Sequence, residues 1–272
     1  MRTLIAIPVY NEEKYVCRVL AQVLRYAQDV LVVDDGSTDQ TVATLPKMPV
    51  DVIRHGKNRG YGRSLRDAFM WAHMNAYDWV ITMDCDEQHE PRAIPQFLAA
   101  AAEGGADVIS GSRYLAGAGD DIGRPPADRA AINEQITREI NDRLGLGLTD
   151  SFCGFKAYRV AALRTMRPTE DGYAFPMQFW VQAAALGLRI REIPVRLIYN
   201  DPNRSFGGPL DDAKVRLAHY RRVLHCELEK WSGRLPRAAL AGVNEGCAGR
   251  DAVGHDFPAD ARERIARERV VR

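Results

Sequence analysis

An α/β fold, with a mostly parallel central sheet covered by helices on both faces, is what this sequence predicts, and three observations predict it. Short, almost wholly apolar runs (LIAIPV at 4–9, VLVV at 30–33, WVITM at 79–83) have the composition of strands buried on both faces. Between them lie segments with helical apolar spacing, such as Val16, Leu20, Val23, Leu24 and Ala27. Polar, carboxylate-rich clusters follow the strand-like runs: YNEE, DDGSTD and DCDEQHEP. In open α/β sheets ligands bind beyond the carboxyl ends of the strands, so these clusters mark the place to look for a site.

In chain order, residues 4–9 are the first strand, and Asn11 is placed as the cap of a helix whose first turn carries Glu12 and Glu13. Strands follow at 30–33 and 50–54. The loop Lys57-Asn58-Arg59-Gly60-Tyr61-Gly62-Arg63 precedes a helix at 64–76; its glycines and basic residues would let backbone amides and positive charge approach a phosphate, although a flexible basic loop reads equally well. A strand at 79–83 ends in DCDEQHEP, and a helix at 91–102 opens on Pro91. A strand at 107–111 leads into Ser112-Arg113-Tyr114. Residues 115–128, rich in Gly, Asp and Pro, form a loop placed beside the site as a candidate lid. A helix at 129–144 sets Ile132, Ile136 and Ile140 on one face and Arg129 and Asn133 on its neighbour. Asp150 to Arg159 (DSFCGFKAYR) turns into a short strand, 175–185 is helical, and 190–199 is a strand that Pro194 assigns to a sheet edge. A polar loop at 200–209 holds Arg204. The helix at 210–231 has Leu210, Leu217, Leu224, Leu228 and Trp231 on one face and Lys214, Arg216, Arg221, Arg222 and Lys230 on the others. Packing on the domain is the ordinary fate of such a helix; a basic amphipathic helix also suits an anionic membrane surface.

With 272 residues and 46% hydrophobic content, the chain supports one core, assigned to residues 1–231, followed by a charged, glycine-containing tail at 232–272 of marginal order. The net charge of +1 gives no reason to expect a nucleic-acid partner. Five widely spaced cysteines without a C-x-x-C pair argue against a disulfide framework or zinc site and for a reducing compartment. Met1 runs straight into a strand, and no run of about 18 apolar residues is present. The expectation is a cytoplasmic protein that reaches any lipid peripherally.

Asp84 and Asp86 stand two residues apart at a strand end, so both carboxylates point the same way and repel unless a cation lies between them. Hard oxygen ligands select Mg²⁺ or Mn²⁺, which usually complete their shell with substrate phosphates. A lone D-x-D is more often a solvated turn, so the rest of the chain has to decide. His89 reads as a structural hydrogen-bonding residue rather than a metal ligand.

Six elements in order, IPVYNEE, VVDDGSTD, KNRGYG, MDCDEQHEP, GSRY and DSFCGFKAYR, resemble family 2 glycosyltransferases over roughly residues 3–230, most closely the polyprenol-phosphate (dolichol-phosphate) mannosyl- and glucosyltransferases. The resemblance implies a GT-A fold with a Rossmann-like sheet. It also implies inverting, metal-dependent transfer of a hexose from GDP-mannose or UDP-glucose to a polyprenyl phosphate, at the cytoplasmic membrane face or through a membrane-protein partner. It assigns Pro8, Tyr10, Asn11, Glu12 and Asp35 to the nucleotide pocket and Asp84, Asp86 and Gln88 to the metal and diphosphate. Arg113 and Arg129 inherit the acceptor phosphate, and Arg204 approximates a late basic loop closing on the diphosphate. Asn133 departs from the expected small hydroxyl residue, and DPNRSFGG from the common form of that loop. At 175–178, where many relatives carry an acidic residue, this chain has Gln178; a phosphate acceptor is already anionic and needs no base, unless Asp150, Glu170 or Asp171 supplies one. A glycosyltransferase acting on a hydroxyl and a catalytically silent nucleotide-binding scaffold are the alternatives.

Overall fold

The computed structural model describes residues 1–117, 120–200 and 205–243. Seven strands make one sheet: β1 (Thr3–Val9), β2 (Val30–Asp34), β3 (Asp51–Arg54), β4 (Trp79–Thr82), β5 (Val108–Ser112), β6 (Lys156–Arg159) and β7 (Ile190–Pro194), in the order β3-β2-β1-β4-β6-β5-β7. β1 pairs in parallel with β2 and β4, β2 with β3, and β5 with β7. β6 is antiparallel to both β4 and β5. The α/β class and the mostly parallel sheet are as expected.

Alternation along β1 shows why the strands are apolar throughout. Leu4 and Ala6 enter one core with Val80, Val108 and Tyr158, whereas Ile5 and Ile7 enter the other with Ile81 and Ile109. Helices α1 (Val16–Val23) and α4 (Ile94–Glu103) contribute buried residues to the second core; α2 (Thr41–Thr44) is one short turn. The first core takes residues of α3 (Tyr61–Met74), α5 (Ala127–Leu144), α6 (Val160–Leu163), α7 (Phe175–Ala185) and α8 (Ala213–Lys230). Ile132, Ile136 and Ile140 are buried on one face of α5, as their spacing predicts.

Three local expectations change. α1 begins at Val16, and Asn11 caps nothing: at φ 55° its Oδ1 accepts from the Thr38 N–H at 2.8 Å, tying the end of β1 to the turn after β2. The last strand stops at Pro194, level with the end of β5 at Ser112 and on the sheet edge, and beyond it Ile198 makes an isolated bridge with Ile122. Cys17, Cys85 and Cys153 are free thiols, but Cys226 is disulfide-bonded, which the wide cysteine spacing did not announce.

α8 is capped by Asp212, whose carboxylate accepts from the Lys214 and Val215 N–H groups at 2.9 Å. It packs along α7 and α5, and two of its basic residues pair with acids of α5, Arg216 with Asp128 and Arg221 with Glu139, while Lys230 pairs with Glu227 of its own helix. Beyond it, Ala239 is buried, and Arg143 donates to the Ala239 and Ala241 carbonyls at 3.0 and 2.8 Å. Of the predicted tail at 232–272, the part from 244 onward lies outside the described residues. No helix among them is long and apolar enough to cross a membrane.

Candidate active site

A cavity of about 440 Å³ reaches from the carboxyl ends of β1 and β4 to the walls formed by α5, α7 and α8. Pro8, Tyr10, Glu12 and Asp35 line one flank; Asp84, Asp86 and Gln88 line the middle; Arg113, Arg129 and Asn133 line the far side. Asn11, engaged with the turn at Thr38, does not line it, and Arg204 lies outside the described residues.

The middle is held by a tight loop after β4, in which Glu87 takes φ 62°. The Asp84 N–H donates to His89 Nδ1 at 2.9 Å, so His89 has the structural role expected of it. The Gln88 N–H donates to Asp86 Oδ1 at 3.0 Å. Burial, together with the negative charge of Asp84, holds the Tyr61 phenol well above the usual range, so its hydroxyl stays protonated. A Cβ on Gly154 would lie 2.7 Å from Asp84 Oδ2 and 2.8 Å from the Tyr61 hydroxyl; only glycine leaves the carboxylate where it is.

Asp35 is bound from within the protein. Its carboxylate accepts the Arg59 and Gly60 N–H groups, both at 2.8 Å, and lies 2.6 Å from His55 Nδ1; His55 Nε2 lies 3.0 Å from Asp67, which also accepts from Arg63 Nε at 2.8 Å. Burial opposes a charge on His55, but the two carboxylates outweigh it and raise its pKa to about 9. Two amides of the KNRGYG loop, those of Arg59 and Gly60, therefore serve Asp35. Gly60, at φ 102°, and Gly62 instead allow close backbone approach to residues 170–172.

On the far side Arg113 forms a two-pronged pair with Asp150, Nε to Oδ2 at 2.6 Å and Nη2 to Oδ1 at 2.9 Å. Asn133 donates to the same Oδ1 at 3.1 Å. Burial would raise the Asp150 pKa, yet Arg113 and these hydrogen bonds hold it at about 2. Fully buried and ion-paired, Asp150 is no proton acceptor. Gln178 points away from the cavity: its Oε1 accepts from the Thr169 and Glu170 N–H groups at 2.7 Å, and its Nε2 donates to buried Glu227 at 2.9 Å. Asp171 is tied to Arg66 at 2.6 Å, and Glu170 accepts from the Gly172 N–H at 2.9 Å. Among the described residues, the only carboxylates lining the cavity are those of Glu12, Asp35, Asp84 and Asp86. Arg129 lies 4.6 Å from the Phe206 ring centroid and 5.7 Å from that of Tyr199, an aromatic seat for its guanidinium.

Residues 4–167 match the family described as Glycosyl transferase family 2. The chain belongs to that family. This glycosyltransferase is 31% identical to the undecaprenyl-phosphate mannosyltransferase of Micrococcus luteus over 253 residues, covering 88% of the chain and 100% of that relative. It is 29% identical to the polyprenol monophosphomannose synthase of Mycolicibacterium smegmatis, covering 80% of the chain and 86% of that relative. Its fold matches Mycobacterium tuberculosis glucosyl-3-phosphoglycerate synthase, solved with Mn²⁺, UDP and glucosyl-3-phosphoglycerate, at a TM-score of 0.63 and 19% identity over 86% of this chain and 81% of that one. That similarity establishes the GT-A fold.

The middle of the glycosyltransferase's cavity fits a divalent ion. The Asp84 side chain is 32% exposed, and Asp86 brings a second hard oxygen ligand to the same wall. No group of three or more His, Cys, Asp or Glu residues among the described ones forms a closed metal cage. Two carboxylates with open positions suit Mg²⁺ or Mn²⁺, whose remaining ligands come from phosphates and water. Tyr61, His55, Gly154 and Lys156 went unassigned in the sequence. The signal of Tyr61, Gly154 and Lys156 was present in KNRGYG and CGFKAYR, without the partners that give them work, and His55 lies in neither motif.

Proposed function

We propose that this enzyme transfers mannose from a nucleotide sugar to a polyprenyl phosphate, with inversion at the anomeric carbon and with a divalent metal. The observation that carries the reading is the composition of the far wall. Arg113 and Arg129 line the cavity there, and among the described residues no carboxylate lines it on that wall. A hydroxyl acceptor needs a base in hydrogen-bond reach; a phosphate needs cations and correct placement. The names of the Micrococcus and Mycolicibacterium relatives support both the sugar and the acceptor.

Pro8, Tyr10, Glu12 and Asp35 form the nucleotide flank, where Asp35 is preorganised by His55 and two amides. Asp84 and Asp86, with Gln88, hold the metal and orient the donor diphosphate. The bound ion supplies Lewis-acid neutralisation of the leaving diphosphate, which removes the need for a general acid. Arg113, braced by Asp150, and Arg129 hold the acceptor phosphate on the opposite face of the sugar, the geometry that inverts the anomeric centre. Arg204 belongs to the loop assigned to the diphosphate. The exposed Tyr114, Ile122, Tyr173 and Val215 are the apolar groups we assign to the membrane surface.

The test is transfer of radiolabelled sugar from GDP-mannose and from UDP-glucose to a short polyprenyl phosphate, with Mg²⁺, Mn²⁺ or EDTA. Metal-dependent formation of a mannosyl lipid is expected. Transfer to a hydroxyl acceptor but not to the phosphate would overturn the reading.

A further inference from the structure

Among the described residues, one buried lysine that lines the cavity has no acid within ion-pair reach of its ammonium group. Lys156, the first residue of β6, is 3% exposed and lines the cavity wall. Its Nζ donates to the Cys153 carbonyl and lies 5.3 Å from the Trp180 ring centroid; among the described residues no carboxylate lies within ion-pair reach of it. An ammonium carries three donors, and one is used. Burying an ion costs several kcal/mol unless a counter-charge and hydrogen bonds offset the loss of water. The other buried cations obey that rule: Arg63 has Asp67, and Arg216 has Asp128. Lys156 is the exception.

Its position makes the exception informative. The charges of Asp150, Arg113 and Asp84 all act on Lys156, so it sits in the electrostatic reach of both the Asp84 carboxylate and the arginine wall. Burial, the strongest influence, pushes its pKa down, as expected of a cation that lacks its anion. Arg113 has already given Nε and Nη2 donors to Asp150, so its remaining N–H groups cannot by themselves surround a phosphate.

We propose that Lys156 is a ligand of the acceptor's phosphate, a third cation beside Arg113 and Arg129. The inference rests on the phosphate-acceptor reading above. A guanidinium recognises two oxygens in a plane, and an ammonium adds a point charge from another direction, so the pair restrains the phosphate while one oxygen stays available to attack.

The experiment compares Lys156→Met, Lys156→Arg and Arg113→Ala with wild type. It measures KM for a short isoprenyl phosphate and for the nucleotide sugar, and donor-free binding of isoprenyl phosphate and of the uncharged isoprenol by calorimetry. Lys156→Met is expected to raise the acceptor KM and weaken phosphate binding about 10- to 100-fold, the effect of one charged hydrogen bond, with donor KM within about twofold; Lys156→Arg should recover part of the loss. Unchanged phosphate binding in Lys156→Met, or an equal rise in both KM values, overturns the proposal. If Arg113→Ala weakens phosphate binding while Lys156→Met does not, the phosphate reading stands and the Lys156 assignment falls. If wild type binds the phosphate no better than the isoprenol, the reading itself falls, and the assignment with it. Should Lys156→Met fail to fold, the ¹³Cε lysine NMR signal of wild type that disappears in Lys156→Arg must shift on adding isoprenyl phosphate and not isoprenol; no shift overturns the assignment.

Discussion

At the middle of the cavity Asp84 and Asp86 stand on a single loop, braced by their own neighbours His89 and Gln88; at the far side Arg113, Arg129, Asn133, Asp150 and Lys156 converge from separate segments. The first arrangement leaves negative charge partly in solvent, ready for a cation. In the second, Arg113 neutralises Asp150 inside the protein before any ligand arrives, and Lys156 keeps its charge unpaired among the described residues. Asp150 is fully buried and held by Arg113 and Asn133, while Glu192 accepts from the N–H groups of Thr149 and Asp150 at 2.8 and 3.1 Å and fixes the loop that carries them. Substitutions at the loop should therefore cost activity alone, and substitutions at the far wall should cost activity and stability together.

The largest expected effect separates the two. Asp86→Ala should lower metal-dependent turnover by about 10²- to 10³-fold, the scale of losing a group that stabilises developing charge, while the melting temperature hardly moves. Near-normal turnover would break the comparison at the carboxylate end. Arg113→Ala should raise the acceptor KM and also strand a buried carboxylate, lowering unfolding free energy by about 3–5 kcal/mol. Asp150→Asn, which leaves no buried anion behind, should raise the acceptor KM with a smaller stability loss; denaturant unfolding of both variants sharpens the point.

The buried His55 makes a pH-dependent claim on the nucleotide flank. Its folded pKa of about 9 lies above the ordinary value of 6.5, so its contribution is fully present below about pH 6.5 and is lost as pH rises through 9. Stability measured from pH 6 to 10 should fall by up to about 3 kcal/mol from this group, and His55→Gln should flatten the curve. The smallest effect belongs to Gly154→Ala, where the new Cβ displaces Asp84 and Tyr61: a loss of about 1–3 kcal/mol, read by thermal unfolding, together with a raised metal requirement.

Legibility followed the same division. The strands and carboxylate clusters could be read because apolar runs, turn residues and ligand spacing are local properties. Asp35 was found by its motif, yet its partner His55 was not, because β3 brings that residue alongside only once it pairs with β2. Asn11 was misread as a helix cap because an asparagine before two glutamates is also what a left-handed turn uses. Gln178 was placed where many relatives carry an acid, and its side chain bonds residues 169 and 170 and Glu227. Packing of α8 on the domain was the preferred reading, but not its acids: Arg216 and Arg221 reach partners on α5 that are 88 and 82 residues distant in the chain.

The sequence by itself determined the fold class, the family and the pair of carboxylates, since hydrophobic periodicity and a two-residue spacing need no partner to be recognised. Tertiary structure alone decided which charges are already neutralised. Asp150 went to Arg113, Asp35 to His55 and Arg216 to Asp128, and Lys156 was left with a carbonyl and an indole ring. Electrostatic pairing depends on separations of a few ångströms in a medium of low polarity, and those separations exist only after the strands have paired.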